Sequence, residues 1–486
     1  MNDGIPRRTF LEGMVAGAAS LGLMAATNGA AAGEASSSAP PKIRVGKVYF
    51  GQQRAGWPMA AVNVEAEQKR FEKELAQLQA ALPDVEWIEC GLVADDAALA
   101  QAKQKLQGAD GIVVLQLTMG MGKVLDGLLE LDIPTVLFAE PFCGHEWHTI
   151  AARQRQGKRV DCWATSRFED LLQVVRPFRA IGRLKRAKVL YVNKPDADPQ
   201  YVQAIREKFG TEIKSVKLPD LDAAYQAVSE TAAEAEADEW IRGAAKVVEP
   251  SRDDILKASR MSLALQQMVK SEQAAAITIN CLGSGLIARG MGYPCLGFCR
   301  LNSLGSGGIC EADLKSTMTH LIFNYLVGRP GFVTDPCFDY SNNTIIHAHC
   351  VAAIKMLGPD GPTHPYIIRS HLEDNKGAVL QVQLPAGQPV SMARLIGNDV
   401  MLFSTGEAIA SPLVDRGCRS KLTVRIEHPE KYLEGWSCGL HRVVFYGDHR
   451  RDLERFCRFM QIRLVHEGTD EVHDVPNLTW LPRVHA

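Results

Sequence analysis

Between residues 274 and 350 the apolar segments of this chain are repeatedly interrupted by polar residues. Asn280 breaks the run 279–283, Glu311 and Asp313 follow a glycine-rich turn, Asp335 stands before Pro336, and His347 and His349 close the region. Each interruption falls at the expected end of a strand or start of a helix, and the C-terminal ends of strands are where open α/β sheets place ligands. Two carboxylates with one or two imidazoles form a hard-to-borderline donor set, suited to manganese, magnesium or cobalt rather than to a thiolate-seeking metal. Such an ion can hold neighbouring oxygens of a hydroxy-carbonyl compound and polarise its carbonyl while a carboxylate moves the proton on the adjacent carbon. Aldose–ketose isomerisation needs those parts. Taken singly, Glu311 is also an acid favoured by a helix N-terminus, and Asp335 a turn former ahead of proline; the combination points to a site.

The run Cys310-Glu311-Ala312-Asp313-Leu314, then Asp335 twenty-four residues after Glu311, then Trp436-Ser437-Cys438-Gly439-Leu440-His441 followed by Val443-Val444-Phe445-Tyr446-Gly447, resembles the signature of the L-fucose isomerase and D-arabinose isomerase group, and more distantly that of L-arabinose isomerase. The resemblance implies that Glu311, Asp335 and His441 bind Mn2+, with Mg2+ or Co2+ as substitutes. It also implies that Glu311 and Asp335 act as an acid/base pair through an ene-diol, moving a proton between C1 and C2 of an open-chain sugar. Asp313 would then orient its neighbours from behind. In arabinose isomerases a further His follows the second carboxylate in an Ala-His dipeptide, which Ala348-His349 supplies here, whereas fucose isomerases lack it. His349 is therefore a fourth ligand or sugar contact, or else a strand histidine hydrogen-bonded in the core.

The same resemblance implies a small sugar substrate and a homo-oligomer, trimer or hexamer, whose neighbouring subunit completes the site with first-domain residues. Gly144-His145-Glu146-Trp147-His148 follows the fourth expected strand, so His145, Trp147 and the post-strand Gln52-Gln53 are candidates, against an ordinary solvated loop. The histidines of that motif are three apart, which does not match a zinc-protease helix. Trp436 either stacks on a sugar face or packs under the last domain. The chain is shorter than a typical fucose isomerase, and the identity of the sugar is not carried over.

Other features weigh less. Cys281, Cys295, Cys299 and Cys310 have no zinc or iron–sulfur spacing and lie on apolar segments, so buried free thiols are expected. Gly283, Gly285, Gly305, Gly307 and Gly308 lack the Lys-Ser/Thr of a phosphate loop. Rival readings keep the metal site but change the chemistry to a carbohydrate epimerase or lyase, or make the chain an inactive periplasmic sugar-binding protein. A β-rich third domain and the paired carboxylates with a distant histidine argue against a binding protein.

The elements that must position these residues begin with alternating strands and helices. Apolar runs at 43–50, 85–89, 111–116 and 135–138 are separated by amphipathic segments such as 64–82, the pattern of a parallel sheet covered on both faces. A second round opens with a strand at 188–193, a helix at 199–209 and a strand at 212–216, and the strand 275–281 returns to it. A helix is expected at 314–326. Beyond residue 358 short alternating runs at 366–370, 378–384, 400–404 and 421–426 predict a small antiparallel barrel or sandwich, and a helix at 451–460 closes the chain. The expected fold is α/β, with two doubly wound, Rossmann-like domains (42–180 and 181–357, the second carrying the carboxylates) and a smaller antiparallel β-rich domain (358–486) contributing His441.

At the N-terminus Arg7-Arg8-Thr9-Phe10-Leu11, a weakly apolar run at 14–26 and small residues at 30–32 have the order of a twin-arginine export signal, 1–32, followed by a linker, 33–41. The expected location is periplasmic or secreted, reached already folded. No other stretch is long and apolar enough to span a bilayer. Lys plus Arg, 54, nearly balances Asp plus Glu, 56, with no basic stripe, which argues against nucleic acid. The 12 cysteines would belong to a large domain folding in a reducing cytoplasm, and mostly buried, free thiols are expected.

Overall fold

The computed structural model describes residues 42–192, 196–436 and 438–469; the expected signal and linker lie outside them. The first sheet contains β1 (Ile43–Phe50), β2 (Val85–Val93), β3 (Gly111–Gln116), β4 (Thr135–Ala139) and β5 (Val160–Ala164), all parallel in the order β2-β1-β3-β4-β5. Alternate side chains along these strands enter different cores. Val45, Tyr49, Val113, Leu115 and Phe138 pack with Phe71 of the helix Val64–Leu78 and Phe178 of the helix Arg176–Leu184. Val48, Phe50, Ile112, Val114 and Leu137 pack on the other face with Leu125 and Leu128 of the helix Gly122–Leu129. Burial on both faces explains why these strands read as continuous apolar runs.

The second round supplies β6 (Lys188–Val192), β7 (Glu212–Val216), the two-residue β8 (Lys246–Val247), β9 (Ala276–Ile279) and β10 (Gly307–Cys310). Four of these make a second parallel sheet, β10-β9-β6-β7. The helix Leu314–Val327 follows β10 directly.

Then come β11 (Phe332–Asp339), β12 (Thr344–His349), β13 (Tyr366–Arg369), β14 (Val379–Val382), β15 (Gln388–Ile396), β16 (Val400–Ala410), β17 (Ser420–Arg425), β18 (Arg442–Tyr446) and β19 (Arg463–His466). Antiparallel pairing in the order β15-β18-β11-β12-β17-β16 closes on itself where β15 meets β16, giving a six-stranded barrel, and β19 adds to β16 in parallel. Closure leaves no unpaired edge within the ring.

Two boundaries differ from expectation. The barrel begins at Phe332, not after residue 358, so Asp335 lies on a barrel strand rather than in the second α/β unit. The expected strands near 366–370 and 378–384 do not join the barrel; β13 and β14 form a separate three-stranded sheet with β8. In both cases partner choice rests on contacts far away in the chain, such as Phe332 opposite Val444 and Ile367 opposite Lys246. Local alternation does not encode such partners.

Candidate metal centre

Four side chains from different elements converge where the second sheet meets the barrel: Glu311, Asp335, His349 and His441, with one donor atom of each within 4.8 Å of the others. Glu311 leaves the end of β10 in a turn where both it and Ala312 take left-handed backbone angles, φ 62° and 52°. That conformation is costly for residues with a Cβ and persists where the surroundings impose it. Ala312 N–H donates to Ile279 O at 3.1 Å, pinning the turn to β9. Asp335 sits where β11 changes partner, its first three residues pairing with β18 and the rest with β12. His349 ends β12, and His441 immediately precedes β18.

His441 has a separate partner for each ring nitrogen. Its Nδ1–H donates to Asp313 Oδ2 at 2.9 Å. Its Nε2 faces Asp335 Oδ1 at 3.2 Å and Glu311 Oε2 at 3.4 Å. A carboxylate behind the imidazole is the usual way to set the tautomer of a metal-binding histidine. Burial alone would lower the His441 pKa, but hydrogen bonds to Asp313, Asp335 and Glu311 outweigh it and push the ring up to about 11. The imidazoles beside it, His349 first and then His441, hold Glu311 well below the usual carboxylate range. The cluster thus carries more negative charge than one imidazolium neutralises, and a cation fits there.

Asp313 does two things. Its side chain caps the helix Leu314–Val327, accepting from Lys315 N–H at 2.9 Å and Ser316 N–H at 3.1 Å. It also accepts from Ser316 Oγ at 2.7 Å and from Arg394 Nη1 at 2.9 Å. Burial opposes its charge, yet Arg394, His441 and Ser316 together keep it ionised well below the ordinary range. Arg394 also donates to the His441 carbonyl at 3.2 Å, bracing the histidine from both ends. Sequence reading missed Arg394. Its signal was a single arginine within the apolar strand 390–396.

The donor set suits a hard divalent cation. Nearest separations of 3.2–3.5 Å between donor atoms are close to the roughly 3 Å edge of an octahedron with bonds of about 2.1 Å. Side chains of Glu311 and Asp335 are 39% and 32% exposed, whereas those of His349 and His441 are 4% and 7% exposed. The carboxylates therefore form an open rim over a buried imidazole floor. His349 differs from His441. Cys350 N–H donates to its Nδ1 at 2.9 Å, so the neutral ring carries its hydrogen on Nε2 and points that hydrogen into the cluster, 3.5 Å from Glu311 Oε1. This buried Nε2 lacks a hydrogen-bond partner of good geometry, which suits a donor awaiting a ligand better than a metal-binding lone pair.

The remaining expected residues lie apart. Trp436 packs with Phe338 at 4.8 Å and Tyr432 at 6.1 Å, over the Arg442 guanidinium at 4.1 Å, and its Nε1–H donates to Leu440 O. It thus braces the segment leading into His441. Arg442 in turn is buried against Glu467, with Nη2 to Oε1 at 2.6 Å. His145 and Trp147 follow β4 on the first sheet and are not in the cluster; the His145 ring lies tilted 4.9 Å from Trp57, and Trp147 is 51% exposed. Gln52 follows β1 on the same sheet, its backbone N–H donating to Thr118 Oγ1. His347 faces away, bonded to Thr334 Oγ1. Among the described residues the twelve cysteines form no disulfide, and seven of them are buried.

The sequence matches no protein-family model and no curated protein. Among solved structures there is a likeness to a solute-binding protein of an ABC transporter from Burkholderia multivorans, at 12% identity over 52% of this chain and 86% of that one. Its TM-score of 0.17 is too low for the likeness to bear on fold or function.

Proposed function

We propose that this chain is a divalent-metal-dependent isomerase that interconverts an aldose and a ketose, with Glu311, Asp335 and His441 holding the cation. The observation that carries this reading is the convergence of two carboxylates with one His441 nitrogen, while Asp313 occupies the other. When bound, a manganese ion would polarise the carbonyl and hold adjacent sugar oxygens. The protein's own groups do the rest. Glu311 and Asp335 are both partly open to solvent at the cluster, so one removes the proton from C2 while the other manages the hydroxyl proton, and the roles exchange on the way back. His349 donates its Nε2–H to a sugar oxygen. The positive-φ turn aims Glu311 outward, and Asp313 with Arg394 keeps His441 from rotating.

Export of the folded chain through its Arg7-Arg8 signal, and a homo-oligomer in which Phe142 and Trp147, 74% and 51% exposed, face a neighbouring copy, accompany this proposal. To test the reading, mature protein loaded with manganese is incubated with a panel of aldoses and ketoses beside Glu311→Gln and His441→Ala. Interconversion of at least one pair, with a loss of about 100-fold or more in either variant, is expected. No turnover of any sugar, or undiminished turnover in both variants, would overturn it.

A further inference from the structure

Two thiols lie directly beneath the carboxylate turn. Cys310 is the last residue of β10 and precedes Glu311, while Cys281 stands two residues beyond the end of β9. The two strands run parallel with Cys310 level with Ile279. Continued extension would carry Cys281 past its neighbour. Instead its N–H donates to Ile279 O at 2.9 Å, a three-residue reversal that brings it back beside Cys310. The Sγ atoms lie 3.0 Å apart, and both residues are buried.

We propose that Cys281 and Cys310 form a reversible disulfide that clamps the Glu311–Ala312 turn. The oxidant is a disulfide, either of low molecular weight or in a thiol–disulfide exchange protein. One cysteine, after losing its proton, attacks a sulfur of that disulfide and expels a thiolate; the second cysteine then attacks the mixed disulfide and expels the other. Two S–H bonds are lost and one S–S bond forms in the protein, while the two electrons and two protons convert the incoming disulfide into two thiols. Access comes through the segment 281–292, whose Leu282 is 47% exposed and which contains Gly283, Gly285, Gly290 and Gly292, a short turn-rich stretch able to open locally.

The consequence falls on Glu311. Its turn holds two successive residues at positive φ, a conformation that survives only where both flanks are fixed. The Ala312 N–H bond to Ile279 fixes one side, and a cross-link from Cys310 to Cys281 fixes the other. Reduction would leave the carboxylate on a looser hinge. The cross-link does not depend on the isomerase reading, since it is read from covalent structure and amide exchange without metal or sugar.

The native full chain is treated with oxidised glutathione, denatured under alkylating conditions and digested without reduction. The expected product is a peptide pair joining Cys281 to Cys310, which dithiothreitol abolishes and which is missing from Cys281→Ser and Cys310→Ser. Cys350 and Cys418, the other close pair beside His349, provide an internal comparison in the same digest. Amide exchange at residues 311–313 should slow by about threefold or more in the oxidised protein relative to the reduced. Recovery of both cysteines as alkylated thiols or separate glutathione adducts would overturn the cross-link. Equal exchange in the two states would overturn the clamp.

Discussion

His441 owes its orientation to Asp313, a residue 128 positions away whose first structural task is to cap a helix. An ionised cap accepting from two backbone N–H groups, a serine and an arginine has little freedom, and that rigidity passes to the imidazole. Replacing Asp313 by Asn retains a good cap but exchanges the acceptor that fixes the tautomer for an uncharged amide. Asp313→Asn is therefore expected to keep the fold, seen as an unchanged circular dichroism spectrum, while weakening manganese binding about 10- to 100-fold by calorimetric titration. Equal affinity in the two proteins would assign Asp313 to the helix alone. Two histidines with nearly equal burial face the same carboxylates, and they differ in the partner of the far nitrogen, Asp313 Oδ2 for His441 and the Cys350 N–H for His349.

At the scale of elements, the three-stranded sheet is tied together by charge. Glu249, just after β8, accepts from Arg369 Nη2 at 2.6 Å and Nε at 2.9 Å and from Ser370 N–H at 3.1 Å. The hydrogen bonds from Arg369, acting against partial burial, hold its carboxyl down to about 2 from an ordinary 4.5. A carboxylate depressed in the folded state contributes stability that is fully present above its unfolded value and is lost as pH falls through the folded one. Unfolding free energy, measured by denaturant titration, should thus decline between pH 4.5 and about 2, and Glu249→Gln should flatten that part of the profile. A variant whose profile parallels the parent would remove Glu249 from the account. The pairing of β13 with β8 was hidden from the sequence because β8 is a two-residue strand with almost no local signature.

At the scale of the molecule, one continuous core joins the two parallel sheets and the barrel. Tyr49 and Phe138 of the first sheet, Val189 and Ile277 of the second, Leu395 and Phe403 of the barrel and Phe459 of the helix Arg450–Met460 belong to the same cluster. That last helix returns to the first sheet, where Arg455 pairs with Asp161 at 2.9 Å and Phe459 packs 5.6 Å from Phe178. Tryptophan fluorescence and far-ultraviolet circular dichroism should accordingly report one coincident unfolding transition; separated midpoints would show independently melting units. Residues 43–50, 111–116, 199–209 and 212–216 were legible to the residue, because a strand buried on both faces or a capped amphipathic helix is written in neighbouring side chains. So were Glu311 and Asp335 as polar interruptions of apolar runs. What the sequence alone determined, then, were elements and chemical types. Tertiary structure decided that Asp335 rides on the barrel, that Trp436 braces His441, that Arg394 stands behind Asp313, and that Cys281 lies against Cys310. Those pairings join residues far apart in the chain, and they depend on which sheet faces are left to bury one another, a choice made only when the whole chain folds.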